Sequence, residues 1–207
     1  MAETEFLAAF ADRATIIDWQ AAMILESVAD YVGRACRSAD LVITSGLSLN
    51  PHDSARPEKP GEIVMQAGRP VLVVPRTANN LKLDHMVIAW KNTREARRAA
   101  ADALPMLKLA TRVTLLELAH ESERERVTMQ LDEIAVWLKT HDVVAEPKFV
   151  ALTKGDDAHQ LDKAVMQLGA DIVVGGAYGH SRLREWVFGG VTRDLMLQAE
   201  YCTLLSH

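Results

Sequence analysis

The sequence has little cysteine, no long apolar run and no excess of basic charge, and each shortage removes a class of protein. Its two cysteines, Cys36 and Cys202, fall in different expected elements and lack metal-ligand spacing. A disulfide framework and a zinc site are therefore not expected, and reduced thiols are the default. No stretch approaches the roughly 20 apolar residues that span a bilayer. The opening MAETEFLAAFADRAT carries acidic side chains where a secretory signal is basic, so a cytoplasmic protein without a membrane partner is expected. Against 23 basic residues stand 28 acidic ones, a net charge of -5. No general attraction to nucleic acid is expected, and any anion must be bound locally. The cluster Lys91, Arg94, Arg97 and Arg98 reads as the solvated face of a helix.

Catalytic signatures are also missing. No histidine pair has zinc-ligand spacing, and His180 has no Asp or Ser partner in sight. No catalytic residue is assigned.

With 49% hydrophobic and 25% charged residues, the chain has ample material for a core. From residue 84 onward, short β-branched runs alternate with longer helical stretches, the pattern of βαβ units on a parallel sheet. HMVIAW (85–90), RVTLLEL (112–118), 146–152, ADIVVG (170–175) and CTLLS (202–206) read as five strands. Helices are expected over 93–107, with Thr93 as N-cap and Pro105 able to kink or end it, and over 121–140 and 156–168. A last helix is expected to start near Gly190 or Val191. Val127, Leu131, Ile134 and Leu138 recur at helical spacing and read as core. The expected fold is a doubly wound α/β domain with a five-stranded parallel sheet over 84–207.

Residues 1–76 read as a partial copy of this design. SADLVITS (38–45) matches the run before Gly175, and GEIVMQAGRPVLVVP (61–75) matches VTRDLMLQAEYCTLLS (191–206). TIIDW (15–19) is a candidate for the strand preceding these. Nothing matches the first two strands, and LSLNPHDSARPEKP (47–60) stands where a glycine loop would be. The short apolar strand CTLLS at a sheet edge should pair with Val71–Val74 of the first part or of another chain, and a homodimer is expected.

The stretch GGAYGHSRLREWVFGGVT (175–192) is neither a GK[ST] loop nor GxGxxG. After a buried fourth strand, its glycines would let an anion approach backbone N–H groups and a helix start; they would equally serve a purely structural turn. Gly176, Gly179 and Gly189 resemble the G-x2-G-x9-G-[ST] motif of the universal stress protein family, and the order of elements over 84–207 matches that family too. The resemblance implies a stress-response regulator that binds ATP or a related adenine nucleotide, with or without Mg²⁺. The contacts it implies are Gly175, Gly176, Gly179, Gly189, Gly190, Val191 and Thr192 for ribose and phosphates, and Ala89 to Lys91 at the end of the first strand for adenine. Two positions depart from the family's pattern: Gly190 stands where the motif has Ser or Thr, and Lys91 stands where an Asp is common. The alternative is a dimeric scaffold of the same fold that binds no nucleotide.

Overall fold

The structure, a computed structural model, describes residues 2–46, 60–177 and 201–207. A single seven-stranded sheet runs through them. Its strands are β1 (Val42–Ser45), β2 (Val71–Val74), β3 (His85–Ala89), β4 (Arg112–Ala119), β5 (Ala145–Ala151), β6 (Ile172–Gly176) and β7 (Cys202–Ser206). The helices are α1 (Ala2–Phe10), α2 (Val28–Ala35), α3 (Pro60–Ala67), α4 (Arg94–Leu107), α5 (Arg124–Thr140) and α6 (Asp157–Leu168). The expected α/β class is observed, with a wider sheet than the five strands read from residue 84 onward.

The order across the sheet is β1-β2-β7-β6-β3-β4-β5. All neighbours are parallel except β2 and β7. The last five strands form the doubly wound half, with β3 central. Such strands are buried on both faces and read as apolar runs, as VLVV of β2 and IVV of β6 do. Pro147, which has no N–H to give a ladder, sits on the edge strand β5.

The β1–β2 and β6–β7 pairs repeat one arrangement. Val42 pairs with Val71 and Val173 with Thr203. One residue past each pair the same bond closes it, Gly46 N–H to the Val74 carbonyl at 2.8 Å and Ala177 N–H to the Ser206 carbonyl at 2.7 Å. The apolar edge of β7 is covered by β2 of the same chain. TIIDW, in contrast, forms no strand: residues 14–24 have no regular structure and Ile16 is exposed. The strands that would flank it have no counterpart in the sequence, and an extended segment without neighbours has no ladder to join.

Thr93 caps α4, its side-chain oxygen accepting from Ala96 N–H at 3.2 Å. The buried face of α4 is mostly alanine (Ala96, Ala99, Ala100, Ala103), which lets the helix lie close to β6 and β7. Pro105 does not end the helix, which runs on to Leu107. In the last turn the proline loses one bond, and Lys108 N–H still reaches the Leu104 carbonyl at 3.1 Å. α5 begins at Arg124 after a short 3₁₀ turn and buries Val127, Leu131 and Leu138. α6 ends on Gly169 in the left-handed conformation, φ 64°.

At the amino ends of the strands, His85 is buried and fully engaged. Its ring bridges the Leu168 carbonyl (2.9 Å) and Thr114 Oγ1 (2.8 Å), with Arg112 beside Nδ1 at 2.7 Å. Burial holds its pKa below the ordinary value, and the Arg112 charge adds to this against the opposing pull of the Leu168 carbonyl and Asp171.

Candidate functional site

The carboxyl ends of the strands are where a doubly wound sheet offers a crevice, at the point where the order reverses. Here that point lies between β3 and β6. The register pairs Ala89 with Gly175, bringing together two residues that the sequence assigned to opposite ends of a ligand. Gly175 and Gly176 end β6, and Ala177 follows, buried. Gly179, Gly189, Gly190, Val191 and Thr192 lie outside the described residues, as do His180 and the residues over which a last helix is expected.

Gly176 meets α4 rather than open space. A Cβ built on it would stand 2.5 Å from Ala96 N and 2.8 Å from Glu95 Cβ. No side chain fits there while the first turn of α4 stays against β6, so this glycine sets the approach of helix to strand. Gly175 is different: its nearest neighbour would be Leu205 Cδ2 at 3.8 Å, ordinary contact.

Beyond Ala89 the chain turns sharply. Trp90 N–H donates to the Leu116 carbonyl at 2.7 Å, and Thr93 N–H to the Lys91 carbonyl at 2.7 Å, so α4 starts directly over the ends of β3 and β6. The helix start gives this edge a partial positive charge. Glu95, buried in that first turn, is ion-paired with Arg94. Burial alone would raise its pKa; the hydrogen bonds from Arg94 and its own backbone, the Arg94 charge and Thr93 outweigh this and hold it low. Its carboxylate is therefore ionised at the positive end of the helix.

Lys91 stands at the end of β3, as the sequence placed it. The acid absent from that position has a neighbour one strand away. Glu117 of β4 lies beside the Trp90 turn, buried, and its Oε2 has no hydrogen-bond partner. Trp90 Nε1 is likewise buried without a partner. Burial raises the Glu117 pKa, while the charges of Lys91 and Arg126 pull it partly down and Glu123 pushes it up. The sequence reading included Trp90 in the range Ala89 to Lys91 but passed over Glu117 and Glu95. For Glu117 there was a signal, an acid interrupting the apolar strand RVTLLELA; Glu95 looks like any acid in a helix's first turn. Among the described residues no cluster of His, Cys, Asp or Glu could hold a metal ion. No described helix is long and apolar enough to cross a membrane.

No protein-family model and no curated protein matches the sequence. Solved structures do match the fold. A universal stress protein of Archaeoglobus fulgidus superposes with a TM-score of 0.63 at 10% identity, over 86% of this chain and 66% of its own. Another, from Lactobacillus plantarum, superposes with a TM-score of 0.50 at 14% identity, over 62% of this chain and 100% of its own. The fold is that of the universal stress proteins. A functionally unknown protein of Pseudomonas aeruginosa also superposes, with a TM-score of 0.63 at 14% identity over 99% of this chain and 76% of its own. The chain spans just under two thirds of the archaeal universal stress protein's length.

Proposed function

We propose that the protein is a regulatory module that binds ATP or a related adenine nucleotide at the carboxyl edge of β3 and β6 and serves a stress response. The observation that carries this reading is the pairing of Ala89 with Gly175 at the reversal of strand order. A nucleotide there would have its base near Ala89 and Trp90. Its phosphates would lie along the stretch that leaves Gly175, where Gly179, Gly189, Gly190, Val191 and Thr192 supply backbone N–H groups and one hydroxyl. Binding of this kind needs donors and a shaped cleft but no catalytic base, and Mg²⁺ would travel with the phosphates. Gly176 contributes indirectly, by holding the α4 start against the strand end.

Gly179→Val tests the reading, because a side chain there would occupy the phosphate path. The variant is expected to lose at least tenfold in ATP affinity with unchanged circular dichroism. Parental affinity in a folded variant would remove the phosphate loop from the proposal.

A further inference from the structure

A buried donor and a buried acceptor, neither with a partner, stand side by side at the carboxyl edge of the sheet. Ala89 is in register with Leu116, so Trp90 and Glu117 follow as the next neighbours, and Trp90 N–H donates to the Leu116 carbonyl beside them. Side chains alternate along a strand, which puts Trp90 with Met86 and Ile88, and Glu117 with Val113 and Leu115, on one face of the sheet. Neighbouring strands run about 4.8 Å apart, so the two side chains leave the backbone close together. Trp90 Nε1 only donates, and Glu117 Oε2 accepts. Neither bonds to the other or to any other group, although Glu117 is 2% exposed and Trp90 5%.

Buried polar groups are ordinarily paired, because an unmatched one gives up its hydration for nothing. A donor and an acceptor left together suit a partner that accepts from the first and donates to the second. Their position suits a ligand as well. Glu117 lies within the fields of Lys91, at the end of β3, and of Glu123 and Arg126, two partly exposed side chains at the start of α5, so the pair sits just beneath the rim of the crevice. Across the row from Glu117 through Trp90 to Gly176 the distance is two strand spacings, about 10 Å.

We propose that Glu117, rather than the residue at position 91, reads the base of the nucleotide: its Oε2 accepts from the 6-amino group of adenine while Trp90 Nε1–H donates to the ring nitrogen N1. This assignment rests on the nucleotide reading above and names the groups that select the base. With the sugar at Gly175, a base entering edge first from the strand ends brings that amino group and N1 toward the pair. Lys91 has no acceptor to offer there. Its charge instead favours the ionised form of Glu117, the form that accepts. A purine with a carbonyl at C6 presents the reverse pattern, an oxygen facing the carboxylate and an N–H facing the indole.

Calorimetric titration of the full chain with Mg²⁺-ATP and with Mg²⁺-ITP, whose base carries that carbonyl and a proton on N1, tests the assignment. The parent should bind ATP at least about tenfold more tightly than ITP, since acceptor then meets acceptor. Glu117→Gln, whose amide offers either an acceptor or a donor at the same place, should bring the two affinities within about threefold of each other. Trp90→Phe keeps an aromatic ring and loses the donor; it should weaken ATP about tenfold without weakening ITP. It carries the test if the glutamine variant fails to fold. A purely structural role would weaken both nucleotides alike. A parent that binds ATP no better than ITP, or variants that shift both affinities together, overturn the assignment and leave the nucleotide site standing. A parent that binds neither overturns the assignment together with the site on which it rests.

Discussion

Leu72 of β2 and Leu204 of β7 lie directly opposite each other across the single antiparallel pair in the sheet. Val71 faces Leu205 on one side of them and Val73 faces Thr203 on the other. Because Val42–Val71 and Val173–Thr203 are matching parallel pairs, the two leucines hold equivalent places in the two repeats, and a local two-fold axis passes between them. Both are buried in the cluster that includes α4. This seam joins residues 28–75 to the doubly wound half.

Truncating the seam should therefore be costly for the whole molecule. Leu204→Ala is expected to lose about 2–5 kcal/mol in urea denaturation, the usual cost of a buried leucine. Unfolding should stay a single transition. Two separated transitions would show that the halves do not share one cooperative core.

The two glycines ending β6 should respond unequally to the same substitution. Gly176→Ala puts a methyl group against the backbone of Glu95 and Ala96 and is expected to cost about 1–3 kcal/mol. Gly175→Ala meets only Leu205 Cδ2 and should change stability by less than about 1 kcal/mol. Thermal unfolding of the pair measures the difference. Equal effects would contradict the close approach of α4 to Gly176.

The His85 site predicts a pH dependence with a definite sign. Its folded pKa is lowered, so the unfolded chain binds the proton more readily and stability falls as pH drops. The loss should begin near the ordinary value of 6.5 and continue down to the folded pKa. His85→Gln, which cannot take up the proton, is expected to be less stable than the parent at pH 8 but to show a flatter profile between pH 7 and 5. Denaturant midpoints across that range check it; parallel profiles would mean that His85 does not carry the dependence.

The α/β order from residue 84 was legible because buried parallel strands and amphipathic helices leave strong, different periods in the sequence. Thr93 announced its helix start by cap chemistry, and the partnership of CTLLS with Val71–Val74 followed from an apolar edge that had to be covered. TIIDW carried local strand propensity, but strand formation is decided by neighbours that no local pattern reports. Pro105 was ambiguous for a similar reason: whether a proline ends a helix depends on how much of the last turn packs behind it, and Leu107 is buried there. Glu117 and the α4 contact of Gly176 depend on which elements meet in space. Sequence spacing gave no sign that the Cβ side of Gly176 lies against the first turn of α4.

The central claim is that the carboxyl edge at Ala89 and Gly175 holds an adenine nucleotide. Calorimetric titration of the full chain with ATP and Mg²⁺ tests it most directly, with GTP as the control. Saturable binding of ATP at one site per chain, weakened by Gly179→Val and stronger than that of GTP, is the predicted result. No heat at millimolar ATP would contradict the account and leave the fold as a scaffold.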